Sequence, residues 1–96
     1  MAQNNISVSV RVNGALSTIA GLPEELRFSA SDLRELFQLL CADFPDASSY
    51  LITATGAVQR FVAVFVDGVD YRSLEGIDTR LVSGSRVSLS TAVSGG

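Results

Sequence analysis

The chain has 96 residues, 47% of them apolar and 18% charged, and a formal net charge of −3. That length and balance describe one folded domain and exclude an intrinsically disordered chain. A single cysteine excludes an internal disulfide and an all-cysteine metal site. The absence of histidine removes the commonest general base near neutral pH and the commonest metal ligand.

The first element is "ISVSVRV", in which Ile6, Val8, Val10 and Val12 alternate with Ser7, Ser9 and Arg11. A period of two is the pattern of a half-buried strand. Asn13-Gly14 supplies turn chemistry, and the segment onward to Gly21 is expected to be loop. "EELRFS" reads as a second strand with Leu26 and Phe28 inward. "SDLRELFQLLCADFP" carries Leu33, Leu36, Phe37, Leu40, Cys41 and Phe44 at helical spacing, with Asp32, Arg34, Glu35 and Asp43 off that face. Ser31 is the expected N-cap, Asp32 sits in the first turn, and Pro45 ends the helix. "ASSYLI" predicts a short helical turn and "TATGAVQ" a loop.

"RFVAVFVDG" has a different character. Phe61, Ala63 and Phe65 line one face of a strand, while Val62, Val64 and Val66 line the other. A strand apolar on both faces is either covered on both or covered on one and docked on the other. Asp67-Gly68 marks a turn, a brief strand is expected around residues 69–72, and "IDTRL" reads as irregular. After the turn "SGS", the alternation of Val87, Leu89, Thr91 and Val93 with Arg86, Ser88, Ser90 and Ala92 predicts the final strand. One long helix among four to five strands implies a two-layer α+β domain. Its arrangement is the β-grasp, a mixed sheet wrapped on one main helix, with the first and last strands adjacent near the sheet centre. The expected domain covers residues 1–93, and 94–96 form a flexible tail ending in Gly95-Gly96.

Charge and chemistry narrow the function. All seven cations are arginines scattered singly, without the basic stripe that nucleic-acid binding needs. No apolar run approaches the roughly 20 residues that span a bilayer. The opening "MAQNNISVSVRVNG" lacks a basic region followed by an apolar block, so no export signal is read there. A lone cysteine then suits a reducing cytoplasm. Lysine is missing altogether. This is either a compositional preference for arginine or a chain with no side-chain amine to capture its own activated terminus. Cys41 falls within the apolar helical stripe, where a thiol acts as a small buried hydrophobe. Asp67 and Asp70 bracket a glycine turn where aspartate is expected anyway, and Glu24, Glu25, Glu75 and Asp78 read as solvated surface. The glycines are spread singly and build no phosphate cradle. No acid–base or nucleophile–base constellation appears, so the chain is not expected to be an enzyme, and no metal or bound cofactor is expected. The outward face of the 61–66 strand is either a docking patch or the floor for residues 46–59 or 72–82.

The segment "RFVAVFVDGVDYRSLEGIDTRL", followed by "VSLSTAVSGG", resembles the MoaD/ThiS sulfur-carrier family. Members are ubiquitin-like β-grasp proteins with a pattern like F-V-x-V-x-V-N/D-G and an ending such as A-V-x-G-G. The resemblance runs the whole length in order of elements, with its recognisable letters in residues 60–96. It implies that an activating enzyme related to the ubiquitin-activating enzymes uses ATP and magnesium to adenylate the carboxylate of Gly96. A sulfur donor then displaces AMP to leave a thiocarboxylate, which passes sulfur to an accepting synthase. Gly95 and Gly96 would thread a narrow slot of the adenylating partner, where side chains would collide with the walls. Phe61, Val62, Val64, Val93 and Ser94 are the candidate partner-binding residues. The chain departs from the family at "SGSRV", where Ser83, Ser85 and Arg86 replace a commonly acidic turn. Its length and the 46–59 insertion look more like molybdopterin-type or cysteine-type carriers than the shorter thiamine ones. Two other readings stand beside this one: a ubiquitin-like modifier conjugated to lysines through Gly96, and a non-catalytic interaction domain.

Overall fold

A computed structural model describes residues 6–92 of the chain. Strand β1 (Ser7–Val12) leads into helix α1 (Gly14–Ala20) and strand β2 (Glu25–Ser29), and helix α2 (Leu33–Asp43) follows. A 3-10 turn at Pro45–Ala47 connects to the short helix α3 (Ser48–Leu51). The remainder is β3 (Val62–Val66), β4 (Val69–Asp70), 3-10 turns at Tyr71–Ser73 and Gly76–Asp78, and β5 (Arg86–Thr91). The five strands form one sheet in the order β2-β1-β5-β3-β4, with β1 and β5 parallel and the other pairs antiparallel. This is the α+β, ubiquitin-like β-grasp arrangement.

The sheet is folded by its alternation. Val8, Val10 and Val12 of β1, Val87 and Leu89 of β5, and Val62, Val64 and Val66 of β3 all point to one side and are buried there. Against them packs the stripe of α2, Leu33, Leu36, Phe37 and Leu40. Each such side chain contributes about 1.5–3 kcal/mol by leaving water, which makes this single layer of contacts the main source of stability. Leu26 and Phe28 of β2, at the sheet edge, are only half-buried against the same core.

Three local features differ from the sequence expectation. Residues 14–20, expected as loop, form α1. The Asn13 side chain accepts from the Ala15 N–H at 2.9 Å, and Gly21 closes the helix in the left-handed region at φ 73°. Leu16 and Ala20, one turn apart, are buried in the core, which ties this short helix down. The stretch is too short for its periodicity to register, and Asn-Gly is also a turn signal. The N-cap of α2 is Asp32 rather than Ser31: its carboxylate accepts from the Glu35 N–H at 2.8 Å. Ser31 instead donates its N–H and hydroxyl to the Glu35 carboxylate, at 2.8 and 2.9 Å. These two bonds hold the Glu35 carboxyl below the usual carboxylate range. Finally, the strand expected around 69–72 is only Val69–Asp70, because the Asp70 side chain accepts from the Arg72 N–H at 2.9 Å and turns the chain into a 3-10 turn.

The 46–59 insertion packs on the helix side. Ala47 and Leu51 are fully buried, and Ile52 bridges to Val58 around a tight turn. Its contribution goes to the core at the end of α2 and leaves Phe61 exposed on the far side of the sheet.

Candidate functional site

The chain reaches its final residues through the centre of the sheet. β5 is flanked by β1 on one side and β3 on the other, so both of its edges are hydrogen-bonded. Its last described residue, Ala92, donates its N–H to the Phe61 carbonyl at 2.6 Å. Val93, Ser94, Gly95 and Gly96, all named as site candidates, lie outside the described residues. Whatever follows Ala92 therefore leaves from a fixed strand end beside Phe61.

Around that exit lies the face of the sheet opposite α2. In the β3–β5 register, Ala63 stands opposite Ser90 and Phe65 opposite Ser88, so Phe61, Ala63 and Phe65 form one apolar strip along β3. Phe61 is 43% exposed, and the other two are half-buried. Val62 and Val64, expected as partner contacts, are 5% and 1% exposed and belong to the core. Successive side chains on a strand point to opposite faces, so these valines cannot share a surface with Phe61. The open face of the sheet thus sets an apolar strip, exposed at Phe61, beside a row of serines.

A shallow groove of about 360 Å³ lies at the same end, lined by Arg60, Ala63, Asp70, Tyr71, Arg72 and Ala92. In it Asp70 and Arg72 form a two-pronged ion pair, at 2.8 and 3.1 Å. The Arg72 side-chain hydrogen bonds, then its main-chain N–H, hold the Asp70 carboxyl down at about 2. Asp70 thus stays ionised throughout the working range and is unsuited to proton transfer. The neighbouring Asp67 serves the β3–β4 hairpin. Asp67 and Gly68 both have positive φ, 51° and 86°, as the tightest hairpin turn requires. The Asp67 carboxylate also accepts from the Arg86 N–H at 2.9 Å. The two aspartates accordingly perform separate structural tasks and form no catalytic pair.

The other singled-out groups are likewise explained by packing and surface pairing. Cys41 is half-buried in an apolar cleft with Phe37, Ile52 and Ile77. Glu25 pairs with Arg11 at 2.9 Å and Asp78 with Arg34 at 2.8 Å, all on the surface. Among the described residues, no three or more carboxylate or thiol groups come together in a metal-holding cluster. No helix among them is long and apolar enough to cross a membrane.

These features define the chain as a ubiquitin-like β-grasp protein whose last strand lies at the centre of the sheet. The sequence model of the ThiS family matches residues 10–96, and the chain belongs to that family of sulfur-carrier-like proteins. Solved structures agree on the fold. CysO from Mycobacterium tuberculosis is 26% identical, with a TM-score of 0.77 over 90% of this chain and 99% of that one. The Amycolatopsis orientalis BexX/CysO complex contains a chain 21% identical, with a TM-score of 0.78 over 93% of this chain and 99% of its own. Small archaeal modifier protein 1 from Methanosarcina acetivorans is 22% identical, with a TM-score of 0.77 over 94% and 96%. Among curated proteins, no sequence matches this chain.

Proposed function

We propose that the chain is a sulfur carrier working through the main-chain carboxylate of Gly96. The observation that carries this reading is the family match, which extends through the final glycines. The exit of β5 at Ala92 beside the exposed Phe61 supports it. The four residues after Ala92 span about 13 Å when extended, enough to enter a partner's active site while the folded body stays outside. There a carboxylate oxygen of Gly96 attacks the α-phosphate of ATP held with magnesium, and pyrophosphate leaves. A sulfur nucleophile then attacks the acyl carbon, AMP departs, and a thiocarboxylate remains. The chain acts as co-substrate: it has no histidine or lysine to serve as a base, and the geometry at Asp67 and Asp70 builds no acid–base pair.

The docking surface for the adenylating partner is the strip of Phe61, Ala63 and Phe65. The A. orientalis relative, solved in complex with BexX, is the precedent for a carrier of this shape seated on a second protein. A cysteine-type or molybdopterin-type synthase is the acceptor we favour, and a reducing cytoplasm is the compartment in which a thiocarboxylate persists. The resemblance to an archaeal modifier favours one further reading, conjugation of Gly96 to target lysines. Intact mass spectrometry after incubation with an activating enzyme, ATP, magnesium and a sulfur source tests the proposal. A gain equal to the exchange of one oxygen for sulfur, absent when Gly96 is deleted, is expected. A chain that never forms an acyl-adenylate refutes it, and slower-migrating lysine conjugates without sulfur uptake favour the modifier reading.

A further inference from the structure

The open face of the sheet has two halves of different chemistry. On β3 it is the apolar strip described above, whereas on β5, β1 and β2 it is polar and its charges are unevenly matched. Ser9 of β1 stands in register with Arg27 of β2 on one side and Arg86 of β5 on the other. Strands about 4.8 Å apart place the two arginine Cα atoms about 10 Å from each other. Both arginines are exposed, and they line one shallow depression together with Arg11 and Glu25. Arg11 is answered by Glu25 at 2.9 Å, but among the described residues neither Arg27 nor Arg86 has an ion-pair partner. The carboxylate of Asp67 is engaged by the Arg86 main-chain N–H, at 2.9 Å. Six of the ten carboxylates fall within residues 32–46 and 75–78, on and around α2. With Arg34 as their one cation, these two segments carry −5 of the net −3 and the rest of the chain +2, and the sheet face holds an excess of cations.

We infer that this face docks an acidic protein surface: the partner that activates Gly96 presents carboxylates to the Arg27–Ser9–Arg86 row while its apolar patch covers Phe61, Ala63 and Phe65. The inference rests on the activation proposed above. The two halves are contiguous, since Phe65 stands opposite Ser88 and Ser88 opposite Arg11. A protein surface can complement both at once. Nucleic acid would leave the apolar strip unmatched, and two unpaired arginines do not make a phosphate-tracking stripe. Exposed charges at an interface act mainly by steering encounter and fixing orientation, and they do so over about 10 Å at moderate salt.

The experiment uses the full chain and the purified ATP-dependent activating enzyme from the same organism. Binding is read by calorimetry without nucleotide, and activation by pyrophosphate exchange. The double reversal R27E/R86E is expected to weaken Kd and raise KM by about tenfold or more at low salt, and to flatten the salt dependence. R27Q/R86Q, which removes charge without adding any, should fall between. D43R, on α2 away from the sheet, should bind like the parent chain. All variants keep the native circular dichroism spectrum, because these side chains are exposed. Unchanged Kd and salt dependence in the double reversal, or no binding of the parent chain at all, overturns the docking inference. Binding of the parent chain that responds to R27E/R86E, without any pyrophosphate exchange, upholds the docking and overturns the activation of Gly96 instead.

Discussion

Val64 of β3 and Phe61, just before that strand, should fail in opposite ways when truncated. Val64 is 1% exposed and packs in the central layer, whereas Phe61 is 43% exposed on the open face beside the exit of β5. Val64→Ala removes two methyl groups from a close-packed core, about 1.6 kcal/mol of transfer free energy. The residual cavity raises the total to about 2–3 kcal/mol. For a domain of this size each kcal/mol shifts Tm by roughly 4–8 °C, so a fall of about 10–20 °C is expected. Phe61→Ala gives up only the buried half of a ring, on the order of 1 kcal/mol, and Tm should fall by only a few degrees. Its effect belongs in partner recognition, where loss of an aromatic anchor costs at least about 1.4 kcal/mol, tenfold in KM for the carrier. Thermal unfolding by circular dichroism and pyrophosphate exchange with the activating enzyme separate the two. A Val64→Ala chain that melts like the parent, or a Phe61→Ala chain activated with unchanged KM, would refute this assignment of the two faces.

Three further outcomes follow from the same structure. Asn13→Ala removes the side-chain cap of α1 and should cost about 0.5–2 kcal/mol, read as a lowered urea midpoint with unchanged slope. The Asp70 carboxyl, held at about 2 against an ordinary 3.8, favours the folded state when ionised. Its contribution is therefore complete above the ordinary value and is lost as the pH falls through about 2. An NMR titration of the carboxyl carbon should show that midpoint, and Arg72→Gln should return it toward 3.8; a parent midpoint already at 3.8 contradicts the ion pair. Deleting Gly95 and Gly96 should abolish adenylation with Tm unchanged, whereas a drop of several degrees would make the pair structural.

How much of this was legible beforehand differs from element to element. The period-two alternation of residues 6–12 and 86–91 and the apolar stripe beginning at Leu33 determined the first and last strands and the main helix, because burial on one side repeats at the geometric period of the element. The family resemblance was likewise carried by local letters in residues 60–96. Three matters only the tertiary structure decided. Val62, Val64 and Val66 are as apolar as Phe61, Ala63 and Phe65, so the sequence of β3 holds no information about which set faces the core; the position of α2 and of Ala47 and Leu51 settles it. Helix α1 depends on Leu16 finding space in the core, a long-range condition that seven residues do not encode alone. The cationic row exists because Arg27 and Arg86, 59 positions apart, are each brought to Ser9 by strand register. Alternation within a strand is fixed by local stereochemistry, but which strand lies beside which is fixed by the burial of the whole, and the surface a partner meets is a product of the second.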